Sequence, residues 1–362
     1  MLKTVLYLAI LVIIFDFCKS FEYPIIRDFK NCRLTFKSNE SLTIEMNDTS
    51  ANFFMIADQG GIPDPPYYTH ILSHVSMLMA KLAKKHNTQF QFAMGDNFYF
   101  DGVQNVDDPR FQDSFEKVFN DSSLVNTPWF LSLGNHDYRG SASEADHYAQ
   151  IEYTMKSKRW ILPSYLYDLD IVLNSELLIK AVVIDTQKIC DEGTDAEMGE
   201  YLQRVIERIE KFSETDAYYY IVLGHYPLWS IGELGPNYCM VKKLRDTLHK
   251  NKVDGYFTGH EHALQHFTDT YLNHTVEFLV SGATNFVIDT PINKDEINQD
   301  MIKYFWISGE DQQINCETCS GAIVLGKADK NLMNLRFIDT KENELYSFDL
   351  KTRRKASNSA EK

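Results

Sequence analysis

Seven side chains in this sequence could together hold two metal ions. Asp58 and Asp96 are carboxylates, Tyr99 is a phenol, Asn135 offers a neutral amide oxygen, and His225, His260 and His262 are imidazoles. Oxygen donors suit hard, highly charged cations, whereas imidazole suits iron, zinc and similar borderline ions. The His-x-His spacing of His260 and His262 brings two imidazoles close together at a strand end. A mixed set of this size fits a dinuclear centre. Two adjacent metal ions can clamp the attacking and leaving oxygens of an in-line phosphoryl transfer.

The elements that must position these groups are five short apolar runs, each closed by a donor. They read Phe53 to Asp58, Phe90 to Tyr99, Trp129 to Asp137, Tyr219 to His225 and Tyr256 to His262. An apolar run that stops at a polar donor, usually just after a glycine, reads as a buried strand opening into a loop at its carboxyl end. Open α/β sheets bind ligands along that edge. One such run alone would be structural; five with compatible donors predict a metal centre. Between them, Leu72, Val75, Met79 and Leu82 predict a helix over 69–85. Met198, Leu202, Val205, Ile206, Ile209 and Phe212 predict another over 197–212, each packing on a sheet. Strands alternating with helices give an α/β class, and no linker or repeat divides residues 21–350, so one domain is expected.

At 362 residues and 44% apolar content the chain can bury a large core, and 23 Phe and 20 Tyr suit a strand-rich interior. A formal net charge of −15 argues against nucleic acid as a partner. It leaves room for a small phosphorylated substrate, because bound metal ions supply local positive charge. Lys3, the apolar stretch Val5 to Phe15 and Cys18-Lys19-Ser20 read as a signal peptide over residues 1–20. That stretch is too short to span a bilayer, so no membrane span is expected in the mature chain, an uncleaved anchor being the alternative. Residues 351–362 read as a polar, disordered tail. Entry into the secretory pathway would make Asn39, Asn47, Asn120 and Asn273 glycosylation candidates, since each opens an Asn-x-Ser/Thr triplet. The mature chain would keep five cysteines, an odd number. Cys316 and Cys319 read as a local disulfide, a pairing of either with Cys32 being the alternative.

The motifs Ala57-Asp58-Gln59-Gly60-Gly61, Gly95-Asp96-Asn97-Phe98-Tyr99, Gly134-Asn135-His136-Asp137, Gly224-His225-Tyr226-Pro227 and Gly259-His260-Glu261-His262 resemble the five blocks of the purple acid phosphatases. The match is best to the small, mammalian-type tartrate-resistant enzymes of the calcineurin-like metallophosphoesterase superfamily, and it runs from about residue 52 to 349. Tyr99, three residues after Asp96, is the most specific part. The resemblance implies a four-layer αββα sandwich, two mixed sheets flanked by helices. It implies that Asp58, Tyr99 and His262 bind Fe(III), that Asn135, His225 and His260 bind a divalent ion (iron, zinc or manganese), and that Asp96 bridges them. The ions carry more positive charge than Asp58, Asp96 and a tyrosinate Tyr99 remove, so the site would stay attractive to a phosphate monoester even with hydroxide bound. His136 is expected to face the substrate and position phosphate or protonate the leaving oxygen. Asn97 and Asp137 are expected to support the donors.

The resemblance also implies a disulfide between Cys190 and Cys239, contributing roughly 4 kcal/mol in the chain-entropy model. Three departures stand out. Leu234 occupies the place of a substrate-side histidine, Gln59 replaces a tryptophan beside Asp58, and Glu261 replaces an aspartate between the two imidazoles. The exposed loop whose cleavage activates mammalian relatives is shortened here to Asp191–Ala196, so activity without clipping is expected. The function expected is an acid phosphatase acting on small phosphomonoesters or phosphoproteins through a metal-activated hydroxide. It would be a secreted or lysosomal monomer. The rival reading is a non-catalytic phosphatase-fold scaffold for protein binding; phosphodiester cleavage or redox chemistry is compatible with the same metal set.

Overall fold

Continuous apolar runs need cover on both faces, and the chain meets that need with two sheets packed against each other under helices. The structure is a computed structural model describing residues 22–138, 146–287, 290–306 and 319–354. The expected signal peptide and Cys316 lie outside the described residues.

The larger sheet has ten strands. They are β1 (Ile25–Asp28), β2 (Arg33–Ser38), β3 (Ser41–Met46), β8 (Leu166–Leu173), β9 (Glu176–Ile184), β10 (Tyr219–Leu223), β11 (Gly255–Thr258), β12 (Leu264–Tyr271), β13 (His274–Ser281) and β14 (Ile302–Trp306). Their spatial order is β1-β2-β3-β8-β9-β10-β11-β13-β12-β14. The smaller sheet holds β4 (Ala51–Ile56), β5 (Phe90–Met94), β6 (Trp129–Ser132), β7 (Trp160–Ile161), β15 (Ala322–Ala328), β16 (Leu332–Asp339) and β17 (Glu344–Lys351). Its order is β17-β16-β15-β4-β5-β6-β7. Both sheets are mixed. β4 to β7 run parallel, as do β9, β10, β11 and β13, with antiparallel hairpins outside them.

Single strands feed two core layers. Along β10, Tyr219, Ile221 and Leu223 join the core shared by the sheets. Tyr220 and Val222 point the other way, into a second core that includes Val205, Ile209, Leu244 and Leu248. Those four belong to α5 (Asp195–Lys211) and α6 (Tyr238–Lys250). On the smaller sheet the cover is α1 (His70–His86), which buries Leu72, Val75 and Met79. Between the sheets Phe53 stacks on Phe90 with ring centroids 5.1 Å apart, a pairing that adds about 1 kcal/mol beyond its buried area.

The two long helices lie where the periodicity places them, α5 starting two residues earlier than expected. The Thr69 hydroxyl caps α1 by accepting from the Leu72 N–H, and Thr194 with Glu197 forms a capping box at the start of α5. Among the described residues three short α-helices accompany them, α2 (Asn135–Tyr138), α3 (His147–Tyr153) and α4 (Gln187–Cys190). No helix among the described residues is long and apolar enough to cross a membrane.

Cys190 and Cys239 form a disulfide linking α4 to α6. Cys32 is a buried free thiol, so the alternative pairing with Cys316 or Cys319 is not made; Cys319 is disulfide-bonded elsewhere. The ordered chain continues past the expected domain end at residue 350: β17 runs to Lys351, and the Arg353 N–H donates to the Tyr218 carbonyl at 3.0 Å. Residues 355–362 lie outside the described residues.

Candidate metal centre

All five donor-bearing runs are strands, and each carries its first donor just past the last strand residue. Asp58 follows β4, Asp96 follows β5, Asn135 follows β6, His225 follows β10 and His260 follows β11. Turning that sharply off a strand strains the backbone. Asp58, Asp96 and His260 have φ of 60°, 53° and 71°, in the left-handed region, a cost of about 1–3 kcal/mol apiece that is typical of functional sites. Gly95 has φ 88°, and a Cβ there would stand 2.5 Å from His225 Nδ1. The close approach of the two sheets at this point therefore depends on glycine.

The seven donors are joined by direct contacts. The Tyr99 hydroxyl lies 3.0 Å from Asp58 Oδ1, 3.1 Å from Asp96 Oδ2 and 2.9 Å from His262 Nε2. His225 Nε2 lies 3.1 Å from Asn135 Oδ1 and 3.4 Å from Asp96 Oδ1. The His225 and His260 rings are 5.1 Å apart. Asp96 thus turns one oxygen toward Tyr99, Asp58 and His262 and the other toward His225 and Asn135. Donor atoms of Asp58, Asp96 and His262 all fall within 4.8 Å of one another.

This arrangement fits cations. A phenol carries one proton, which cannot satisfy both carboxylate oxygens it touches. Among the described residues, Asp58 and Asp96 pair only with histidines, His262 and His225. Burial pushes the Asp58 carboxyl and the Tyr99 phenol well above their usual ranges, and the neighbouring carboxylates add to the effect on both. Burial also pulls His260 far down and His262 to about 4. A buried cation reverses the penalty on the anions and uses the imidazoles in their neutral form. His225 Nδ1 donates to the Met94 carbonyl at 2.8 Å, which fixes the tautomer and leaves Nε2 for a metal.

Around the donors lies a buried polar frame. The Asp137 carboxylate accepts from the N–H groups of Asn97 (3.0 Å), Phe98 (3.1 Å) and Gly134 (2.8 Å), and from Gln150 Nε2 (2.9 Å). It thereby ties the β5 and β6 loops together. Burial and nearby Asp96 push its pKa up to about 7. The Asn97 side chain donates to the Ser132 carbonyl and accepts from Gln59 Nε2. His136 donates its backbone N–H to Asp96 Oδ1 at 2.8 Å, and its Nδ1 donates to the Phe100 carbonyl at 2.8 Å.

One neighbour, Phe286, escaped the sequence reading, as did the contacts that Glu261 makes. Phe286 sits edge-on to Tyr99, with centroids 4.9 Å apart, and stacks on the half-exposed Phe100 at 5.9 Å. Its signal was a sixth strand ending in Ser281-Gly282, since β13 pairs parallel to β11. The Glu261 carboxylate, fully buried, accepts from the Ser230 hydroxyl at 2.8 Å and the Glu233 N–H at 2.9 Å. The loop bearing Leu234 is thus pinned beside the donors. Leu234 itself is 56% exposed.

A family model described as calcineurin-like phosphoesterase matches residues 67–264. Tartrate-resistant acid phosphatase type 5 of Oryctolagus cuniculus is 36% identical over 250 residues, 65% of this chain and 73% of the relative. The Homo sapiens protein of the same name matches to the same extent. Purple acid phosphatase 17 of Arabidopsis thaliana is 30% identical over 276 residues, 72% of this chain and 76% of its own. Among solved structures, GAP50, the anchor in the inner membrane complex of Plasmodium, has a TM-score of 0.67 at 18% identity, covering 85% of this chain and 90% of its own. The purple acid phosphatase PPD1 from yellow lupin seeds has a TM-score of 0.60 at 12% identity, covering 88% of this chain and 59% of its own. These two structural likenesses speak to the fold alone. With a family model spanning more than half its length and relatives of this similarity, the chain belongs to the calcineurin-like phosphoesterases, among the purple acid phosphatases.

Proposed function

We propose that this chain is an acid phosphatase that hydrolyses phosphate monoesters at a dinuclear metal centre. The observation that carries the reading is the Asp96 carboxylate, whose two oxygens address two separate donor groups. In this reading Asp58, Tyr99 and His262 hold Fe(III), Asn135, His225 and His260 hold a divalent ion of iron, zinc or manganese, and Asp96 bridges. When bound, the ions supply Lewis-acid polarisation of the phosphoryl oxygens and an acidified water as nucleophile.

The chain's own residues do the rest. His136, its ring oriented by Nδ1 donation to the Phe100 carbonyl, positions phosphate or protonates the leaving oxygen. Phe100 and Phe286 form an aromatic wall beside Tyr99 and exclude water from one side of the centre. Leu234 offers no proton, so His136 alone serves the departing oxygen. Substrates with good leaving groups, among small phosphomonoesters and phosphoproteins, are then favoured.

The scaffold reading draws on GAP50, an anchor in the inner membrane complex of Plasmodium whose fold is similar. Against it stands the donor set, complete and in mutual contact. Action in the secretory pathway as a secreted or lysosomal monomer is consistent with the four sequons, because Asn39, Asn47, Asn120 and Asn273 are all exposed.

The test is phosphate release from an aryl phosphate between pH 4 and 8 by metal-replete wild-type protein and an Asp96→Ala variant. An acid optimum that falls by roughly 10³-fold or more in the variant, the scale for losing metal-supplied nucleophile and charge stabilisation, supports the reading. Inactive wild-type protein would put the scaffold reading first.

A further inference from the structure

We infer that Arg110 is a positioning residue that holds Tyr99 and Asp58 in register so that both meet the same ion. The inference rests on the two-metal reading above. Arg110 lies just before a single turn of π-helix, Phe111–Glu116, and is 9% exposed. Burying a guanidinium costs several kcal/mol unless its donors are used, and burial pulls its pKa down to about 10. Its donors divide between two main-chain carbonyls and the Ser114 hydroxyl. Nη1 donates to the carbonyl of Tyr99, Nη2 donates to the carbonyl of Gly60 at 2.7 Å, and Nε reaches Ser114 Oγ at 3.3 Å. The Phe98 ring covers the guanidinium carbon at 5.5 Å.

The two carbonyls belong to the two loops that carry Asp58 and Tyr99. Those loops meet with nothing between them. The Tyr99 N–H donates to the Gly60 carbonyl at 3.1 Å, and a Cβ on Gly60 would stand 2.7 Å from the amide nitrogens of Phe98 and Tyr99. One planar guanidinium therefore bridges the far side of the seam, and its fork suits two carbonyls at once in a way an ammonium cannot match. None of its hydrogen bonds goes to Asn135, His225 or His260, so the clamp is one-sided. Losing it should disturb the Asp58–Tyr99–His262 ion and spare the other.

The experiment uses full-length protein loaded with iron and zinc, comparing wild type, Arg110→Met, Arg110→Lys and Arg159→Met. Arg159 is also buried but is held by Glu116 and the Phe119 carbonyl away from the centre, so its variant controls for lost stability. Iron and zinc per chain are measured by mass spectrometry, and the phenolate-to-iron absorption band by visible spectroscopy. Arg110→Met is expected to bind iron roughly 10-fold or more weakly, the scale for lost ligand support, with a shifted band and zinc retained. Arg159→Met should keep both iron and band. An unchanged band and iron affinity in Arg110→Met overturns the inference. If that variant does not fold, Arg110→Lys decides on the same criteria. Wild-type protein that binds iron without a phenolate band would overturn the two-metal assignment itself, and the inference with it.

Discussion

The Leu234 N–H donates to the Glu261 carboxylate at 3.2 Å, so the loop that carries Leu234 is fastened to the residue standing between His260 and His262. Asn293 holds the same loop from outside, donating from Nδ2 to the Glu233 carbonyl at 3.1 Å. A side chain at position 234 is therefore held at a fixed place relative to the donors, and its chemistry should register in catalysis.

Leu234→His should supply a proton donor there. General acid assistance is worth roughly 10²–10⁴-fold when fully developed, so a gain of about tenfold in kcat/KM is expected for alkyl phosphates, with aryl phosphates little changed. A series of esters graded by leaving-group pKa checks this. Equal dependence on leaving group in both proteins would remove position 234 from the mechanism.

Glu261→Gln keeps the length of the side chain but places an amide donor against N–H groups. The loop from Ser230 to Leu234 should loosen, raising KM more than it lowers kcat while the metal content holds. Metal analysis beside steady-state kinetics separates this from simple loss of an ion.

Stability should fall as pH rises from about 4 to 6. Burial pushes Asp185 and Asp254 up to about 6. The folded chain thus keeps protons that the unfolded chain releases near 4. Stability from these groups is full below the unfolded value and is lost through the folded one, on the order of 3 kcal/mol per group. Denaturant titrations across this range should slope downward in wild type and flatten in an Asp185→Asn, Asp254→Asn double variant. A parallel slope in the two proteins would assign the effect elsewhere.

Paired Cys190→Ser and Cys239→Ser substitutions release α4 from α6. A loss of roughly 4 kcal/mol is expected from the loop the bond closes, read from denaturant midpoints under oxidising conditions. Activity per folded molecule should persist, because neither cysteine contacts a donor residue.

Limited proteolysis should leave turnover within about twofold, since exposed loop cuts rarely disturb a packed site. Only residues 191–194 separate α4 from the capped start of α5, leaving little chain to obstruct the centre. A large activation after cutting would mean that this short segment still covers it.

Much of the architecture was legible because it is local. The runs ending in Asp58, Asp96, Asn135, His225 and His260 carry their strand and their donor in one short window, and α1 and α5 announce themselves by periodicity. What stayed hidden depends on partners distant in sequence. Nothing near Arg110 names the carbonyls of Gly60 and Tyr99 as its acceptors. Glu261 read as a variant of an aspartate, and only the fold reveals the loop it grips. Phe286 reaches Tyr99 because β13 lies beside β11, a neighbourhood set by sheet order alone.

Sheet order also sets a timetable for synthesis. The hairpin of β1, β2 and β3 is translated early, yet β3 pairs along its length with β8, from Ser41 opposite Asp168 onward. The first strands must therefore wait for distant chain before their sheet can close, a delay inherent in parallel non-local pairing. In a chain entering an oxidising compartment during translation, that delay would present Asn39 and Asn47, at either end of β3, to the glycosylation machinery while the hairpin is still unpartnered. Both remain exposed afterwards, so sugars added during the wait would shield the nascent edge from aggregation without obstructing the final fold.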